Sequence, residues 1–318
     1  MDLPHPQQLA EQVETRIERV VAGGGPLGRA LLTALLAQGH CLIQGVPGTG
    51  KTLLGQAFAR LVGLDFRRVQ LTPDLLPADL TGTLVLDLAE GQPRFRPGPI
   101  FTGLLMADEV NRAPPRTQAA LLEAMEERQV TVDGVSHPLD PSFTLLATLN
   151  TIETEGTWPL PEAQRDRFTL CLQVDYPSME VEARLLARGG DGPDPRTSAL
   201  PALTPLLDAG SLAALVAASQ RVRLEEPVRA FLLELVHAAR HDPRVALGPS
   251  PRATLQLARL SRARALLSGR DHALPDDVAA LLQPALAHRI ALLPEAMLDG
   301  ERPAQVLADA RARVEVPR

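Results

Sequence analysis

His40-Cys41-Leu42-Ile43-Gln44-Gly45-Val46-Pro47-Gly48-Thr49-Gly50-Lys51-Thr52 is a short apolar run that breaks into glycines and ends on a lysine and a hydroxyl. Its second half reads G-x-x-x-x-G-K-[ST], the phosphate-cradling P-loop. An ammonium on a flexible stem reaches between β- and γ-phosphates, where a planar guanidinium fork does not fit the same space. Lys51 is the only lysine in the chain; the rest of its 32 basic residues are arginines. The backbone N–H groups around the loop are expected to surround the phosphates, helped by the positive end of the helix that follows. Gly45, Val46, Pro47, Gly48, Thr49, Gly50, Lys51, Thr52 and Leu53 are therefore the expected binding set for a nucleoside triphosphate.

Working outward, residues 27–39 read as an amphipathic helix before the strand at 40–44. After Thr52, the residues Leu53, Leu54, Ala57, Phe58 and Leu61 fall at helical spacing. Strand, glycine loop, helix is the context the motif requires. Residues 66–71, 103–108, 142–149 and 168–174 complete a set of five apolar strands, and 116–128 is helical with Leu121, Leu122 and Met125 on one face. Strands alternating with helices predict an α/β fold, a parallel five-stranded sheet with helices on both faces. Two hairpins interrupt the pattern. One, at 129–137, alternates around Asp133-Gly134; the other, at 83–95, turns at Glu90-Gly91, and neither is needed to build the sheet.

Residues 189–207 are rich in Gly, Pro and Asp and read as a linker, beyond which only helical signals occur. Val228, Phe231, Leu232, Leu235 and Val236 form one apolar stripe, Ser250-Pro251 caps a helix over 252–267, and 275–287 is another. The expected organisation is a nucleotide-binding domain over 1–188, a linker over 189–207 and an all-helical domain over 208–318.

Composition bounds the function. Of 318 residues, 45% are apolar and 22% charged, as in an ordinary globular protein, and aromatics at 3% leave the core to Leu, Ala and Val. The most apolar stretches, near 31–37 and 212–218, fall far short of the ~20 residues that span a bilayer. The N-terminus lacks a signal-peptide pattern, and Cys41 and Cys171 show no zinc spacing, so buried reduced thiols and a cytoplasmic location are expected. A net charge of −6 argues against a protein that coats nucleic acid.

The chemistry-bearing residues fall mostly at strand ends. Thr52 is a hydroxyl ligand for Mg²⁺, and Asp108, ending the apolar strand Leu104-Leu105-Met106-Ala107, fits an acceptor for the ion's water shell. Glu109 is placed to polarise the attacking water. Asn150 ends another strand on the same expected edge, either as a turn residue or as an amide that orients that water. Pro161-Glu162-Ala163-Gln164-Arg165-Asp166-Arg167-Phe168 is a short polar helix entering a strand, whose arginines by themselves read as surface ion pairs. Arg252 stands in a helix's first turn, where a cation is disfavoured unless something such as a phosphate compensates.

In this order the motifs resemble the MoxR family of AAA+ ATPases. The matching stretches include Gly45–Thr52, Thr72-Pro73-Asp74-Leu75-Leu76-Pro77-Ala78-Asp79-Leu80-Thr81-Gly82, Arg94-Phe95-Arg96-Pro97-Gly98-Pro99-Ile100-Phe101, Ala107-Asp108-Glu109-Val110-Asn111-Arg112-Ala113-Pro114-Pro115 and Ser250-Pro251-Arg252. The resemblance runs from about residue 10 to about residue 300. It implies an AAA+ core followed by a helical lid, with Lys51 and Thr52 in Walker A, Asp108 and Glu109 in Walker B, and Asn150 as sensor 1. It makes Arg167 the arginine finger for a neighbouring subunit and Arg252 sensor 2, acting within its own subunit or across the interface. The hairpins at 83–95 and 129–137 then correspond to the helix-2 insert and the pre-sensor-1 hairpin. Departures are Val21-Ala22-Gly23-Gly24 on the adenine side, Thr151 in place of proline, and Arg165, a second arginine beside the finger; residues 211–220 match an extra helix before sensor 2.

The implied activity is Mg²⁺-dependent ATP hydrolysis by a ring, expected to be a hexamer, that remodels or matures a client protein. A partner carrying a von Willebrand factor A domain is implied by the resemblance alone. The rival readings are a magnesium-chelatase-like motor subunit for metal insertion, a DNA-associated AAA+ motor, and a nucleotide-gated scaffold with little turnover.

Overall fold

A computed structural model describes residues 5–87, 91–150, 156–189 and 199–317. Thr151 and Glu90 lie outside the described residues. Two helices come first, α1 (Pro6–Val20) and α2 (Gly25–Leu36). The sequence reading had not anticipated α1; its buried Leu9, Val13, Ile17 and Val20 form a narrow apolar stripe in an otherwise polar segment.

Then follow β1 (Cys41–Gly45), α3 (Lys51–Leu61), β2 (Phe66–Gln70), α4 (Pro77–Thr81), the hairpin β3 (Gly82–Asp87) and β4 (Gln92–Pro97), β5 (Leu104–Asp108) and α5 (Pro115–Glu127). The second hairpin, β6 (Gln129–Val132) and β7 (Val135–Pro138), leads to β8 (Thr144–Leu149), α6 (Glu162–Arg165) and β9 (Leu170–Val174). Five strands form one parallel sheet in the order β2-β5-β8-β1-β9, as the alternation predicts, and each hairpin is a separate two-stranded ladder.

Every residue of β5 is buried, because helices cover the sheet on both faces and the strand has no solvent side. Neighbours in a strand therefore serve opposite cores. Ile43, Leu104 and Leu146 join one apolar cluster with α1, α2 and α3, while Leu42, Leu105 and Leu145 join the other with Leu121 and Leu122 of α5. The edge strand β2 instead exposes Arg67, Arg68 and Gln70, which deters pairing with another strand.

The register brings the motif-bearing strand ends together. Gln44 lies opposite Leu149, and Gln70 opposite Asp108, so the P-loop, Asp108 and Asn150 leave the same edge of the sheet. Ligands of open α/β sheets bind at the carboxyl ends of the strands, at a crevice of this kind.

After α7 (Met179–Gly189) the chain continues through α8 (Ala209–Arg221), α9 (Glu226–Arg240), β10 (Val245–Leu247), α10 (Pro251–Leu267), α11 (Pro275–Leu286), β11 (Ala291–Leu292), α12 (Pro294–Leu298) and α13 (Pro303–Arg313). This part is helical apart from the small antiparallel ladder β10–β11, whose strands are too short to show a period of two. Within the stretch read as a linker, residues 190–198 lie outside the described residues. The following segment packs on α3: Leu206 donates its N–H to Leu61 O at 2.7 Å, Arg60 Nε donates to Leu203 O at 2.8 Å, and Leu203 and Leu207 are buried. Asp208 and Ser250 cap α8 and α10 by accepting from the N–H groups of Ser211 and Ala253. Among the described residues no helix is long and apolar enough to cross a membrane.

Candidate functional site

The P-loop is built by close backbone approach. A Cβ on Gly45 would lie 2.1 Å from Val174 O in the neighbouring strand, so only glycine lets β1 turn there. Gly50, at φ +81°, supplies the left-handed residue that starts α3. Lys51 Nζ donates to the carbonyls of Gly45 at 2.9 Å and Val46 at 2.6 Å, curling over its own loop. Burial holds the Lys51 ammonium below its ordinary pKa, and the nearby carboxylates of Asp108 and Glu109 oppose that shift.

A cleft of about 250 Å³ opens over the loop, and Thr52, Leu53, Asp108, Glu109 and Asn150 line it together with Lys51. Residues as far apart in sequence as 47 and 150 thus meet in one place, as their loop and strand-end positions predict. Asp108 is buried, and its Oδ2 accepts from Thr52 Oγ1 at 3.3 Å. Thr148 of β8 joins both acidic residues, donating Oγ1–H to Asp108 Oδ1 at 3.2 Å and accepting the Glu109 N–H at 2.9 Å. Glu109 takes a left-handed φ of +58°, a conformation costly for a non-glycine residue and concentrated at functional sites, and its carboxylate pairs with Arg112 at 3.1 Å.

Arg68 went unnoticed in the sequence. Its Nε donates to Asp108 Oδ2 at 2.5 Å, and its Nη2 donates to Gln70 Oε1 at 3.1 Å, so a guanidinium lines the cleft beside the acid. The donors fit a hard cation: one hydroxyl and one carboxylate face each other, and among the described residues no group of three His, Cys, Asp or Glu side chains gathers. Such a pair suits Mg²⁺ held largely by phosphate oxygens and water, unlike an all-protein cage.

Arg167 and Arg252 are not brought to this cleft. Arg167 precedes β9 by three residues, and Leu170 lies opposite Cys41, so Arg167 sits at the sheet's amino-terminal edge while the P-loop leaves the carboxyl edge. The four residue steps of β1 alone separate those edges by about 13 Å. Arg167 Nη1 donates to Leu122 O at 2.7 Å, its Nη2 pairs with Glu126 at 3.2 Å, and Arg252 bonds to the same Glu126 carboxylate. Arg128 and Arg259 line the surrounding groove, which is strongly cationic. Arg165, the other arginine near the finger position, pairs with Glu162 of its own short helix at 3.3 Å.

The profile of the ATPase family associated with various cellular activities (AAA) matches residues 40–170, and that of the AAA lid domain matches residues 237–310. The chain is 41% identical to the Bacillus subtilis protein YeaC over 97% of its own length and 95% of that protein's. It is 37% identical to chaperone MoxR1 of Mycobacterium tuberculosis, over 97% of this chain and 84% of the relative. The chain belongs to the MoxR family of AAA+ ATPases. A crystal structure from Cytophaga hutchinsonii has a TM-score of 0.89 and 34% identity, covering 98% of this chain and 96% of that one.

Two further features of this MoxR-family chain escaped the sequence. The hairpins β3–β4 and β6–β7 lean together through a stack of Phe95 on His137, ring centroids 3.8 Å apart, leaving Leu84, Leu86 and Val135 exposed. The lid also reaches the strand entry that carries Arg167. His288 donates Nε2–H to Phe168 O at 2.8 Å, Arg289 Nη2 donates to Phe168 O at 2.6 Å and Asp166 O at 3.0 Å, and Ser250 Oγ lies 2.8 Å from Asp166 Oδ2. No spacing rule connects residues 166, 250 and 289. Only the packed fold does.

Proposed function

We propose that this protein hydrolyses ATP with Mg²⁺, assembles as a ring, and uses the cycle to remodel or mature a client protein. The observation that carries the reading is the meeting of Lys51, Thr52, Asp108, Glu109 and Asn150 in one cleft. On binding, Lys51 exchanges the Gly45 and Val46 carbonyls for β- and γ-phosphate oxygens, and loop N–H groups take the remaining charge. Thr52 and Asp108 would hold Mg²⁺, which when bound would supply charge neutralisation for the phosphate oxygens. Glu109 polarises the attacking water and Asn150 orients it toward the γ-phosphorus. The in-line displacement needs little covalent help and gains mainly from positioning and electrostatics.

The placement of Arg167 and Arg252 supports a trans role for both. Each lies across the sheet from its own P-loop, on a shared carboxylate in a cationic groove, where a neighbouring subunit's triphosphate can replace Glu126 as counter-ion. An arginine supplied this way is worth 10³–10⁵ in rate in other NTPases. The division into a nucleotide-binding domain over 1–188 and a lid over 208–318 serves this cycle, as the lid sets Arg252 beside Arg167 on the face that a neighbouring subunit would meet. The two hairpins, with Leu84, Leu86 and Val135 exposed, are the client-facing elements. A cytoplasmic setting and a von Willebrand factor A partner complete the proposal; MoxR1, a relative at 37% identity, is named a chaperone.

Glu109→Gln is the direct test. ATP binding should persist while turnover falls by about 10²-fold or more, the range for a lost general base. Sedimentation with ATP should show an oligomer. Turnover at the wild-type rate in the Glu109→Gln protein sinks the mechanism.

A further inference from the structure

Arg289 is buried at the junction of core and lid, its side chain only 1% exposed. A guanidinium withdrawn from water needs bonds that no apolar side chain offers. Its bonds are concentrated on one short stretch of chain. Nη2 donates to the carbonyls of Asp166 and Phe168 and to Gln256 Oε1 on α10, while Nε lies 3.5 Å from Asp166 Oδ1. Arg167 is the residue between those two carbonyls. His288, the preceding lid residue, donates to the same Phe168 carbonyl at 2.8 Å.

The other side of the clamp leads to Arg252. Ser250 Oγ reaches both Asp166 oxygens, at 2.9 and 2.8 Å, and the same Ser250 caps α10, two residues before Arg252. One carboxylate, Asp166, therefore meets both the buried guanidinium and the helix start that carries Arg252. Both outward-facing arginines then converge on Glu126. All of these Arg289 hydrogen bonds leave one nitrogen, Nη2, while Nε and Nη1 have no hydrogen-bond partner among the described residues, so the grip on the Arg167 backbone is made by a single buried NH2 group.

We infer that Arg289 is a positioning residue for hydrolysis: by gripping the chain on both sides of Arg167 from the lid, it makes Arg167 and Arg252 one rigid unit that a lid movement presents to a neighbouring subunit's triphosphate. The inference rests on the trans reading of Arg167 proposed above. It assigns Arg289 no contact with nucleotide. It also explains why the lid is fastened to this strand entry by charged and polar bonds: an apolar contact would fasten the lid equally well but would leave the Arg167 backbone free to slide.

The test is Arg289→Met in the full chain, where His288 still serves the Phe168 carbonyl and Ser250 still serves Asp166. The KM for ATP should stay within about threefold, because the P-loop cleft is untouched, while kcat falls by about tenfold or more, as for a misplaced catalytic group. The decisive arm co-expresses differently tagged Arg289→Met and Glu109→Gln chains and isolates mixed assemblies. A Glu109→Gln subunit has a well-placed Arg167 and lends it to the intact cleft of an Arg289→Met neighbour, so turnover should exceed the sum of the two variants alone. Arg167→Ala mixed with Glu109→Gln is the control for the trans reading. If the control recovers turnover and the Arg289→Met mixture does not, Arg289 is merely a staple and the inference is overturned. A wild-type kcat in Arg289→Met overturns it as well. If the control itself fails to recover, the trans reading falls and the inference falls with it. Should Arg289→Met not assemble, Asp166→Asn weakens the same clamp more gently and should show the same recovery in the mixture; its absence counts against the inference in the same way.

Discussion

In the proposed cycle Asp108 would stand between two cations, the Arg68 guanidinium at 2.5 Å and an incoming Mg²⁺ on the Thr52 side of the same carboxylate. A charge-assisted bond of this sort contributes about 1.5–3 kcal/mol when shielded, and the half-exposed Arg68 keeps only part of that. Removing the competitor should therefore ease metal entry. Arg68→Gln is expected to lower the Mg²⁺ concentration for half-maximal ATP binding by about threefold, read from equilibrium binding of a fluorescent ATP analogue across a Mg²⁺ series. An unchanged midpoint would mean that the guanidinium and the ion do not compete. Lys51, Thr52, Asp108, Glu109 and Asn150 were legible in the sequence because each sits in a local pattern, a glycine loop or the end of an apolar strand. Arg68 was not, since it meets Asp108 only through the pairing of β2 with β5, and strand order leaves no mark on spacing. Thr148 is hidden for the same reason: nothing in a buried strand's composition says which neighbour its hydroxyl will reach.

At the level of elements, the P-loop depends on how tightly β1 lies against β9. The ideal Cβ at position 45 meets backbone, the Val174 carbonyl, which cannot swing aside as a flexible side chain could. Gly45→Ala should therefore push the loop off β9, costing about 1–3 kcal/mol as overpacking does, and should lose ATP binding along with it. Thermal denaturation and ATP titration check the two parts separately; a variant with wild-type affinity would show that the loop tolerates displacement. The five sheet strands were readable because helices bury both their faces and so demand continuous apolar runs. The hairpins were readable from their turns and alternation. α1 is hidden because its narrow apolar stripe lies among glutamines and glutamates, and β10–β11 because three residues and two residues carry no period. The segment after residue 198 looked like a tether by its prolines, yet its leucines close the end of α3, a contact that composition does not encode.

For the molecule as a whole, two buried histidines set its response to acid. His40 accepts the Leu145 N–H on Nδ1 at 2.9 Å and donates from Nε2 to Met125 O at 3.1 Å, so it fastens β8 to α5 as a neutral ring. Protonating Nδ1 would set a second proton against an N–H that already points at it. Burial, with the Arg128 charge adding to it, brings the His40 pKa down to about 4. His288 fastens the lid to Phe168, and burial beside the Arg289 cation brings its pKa down to about 3. Both folded-state values lie below the ordinary 6.5, so the unfolded chain binds the extra protons first. Stability from these rings is complete above about pH 6.5 and drains away as pH falls toward 4 for one and 3 for the other. At pH 5 the loss should be on the order of 2 kcal/mol for each ring, well before most carboxylates titrate. Urea midpoints between pH 7.5 and 5 should fall with that onset, and His288→Gln, which keeps a donor toward Phe168 O but cannot titrate, should flatten the curve by about half. A curve that is level down to pH 5 would mean that the rings take up protons in place, and that the lid joint is looser than its hydrogen bonds make it.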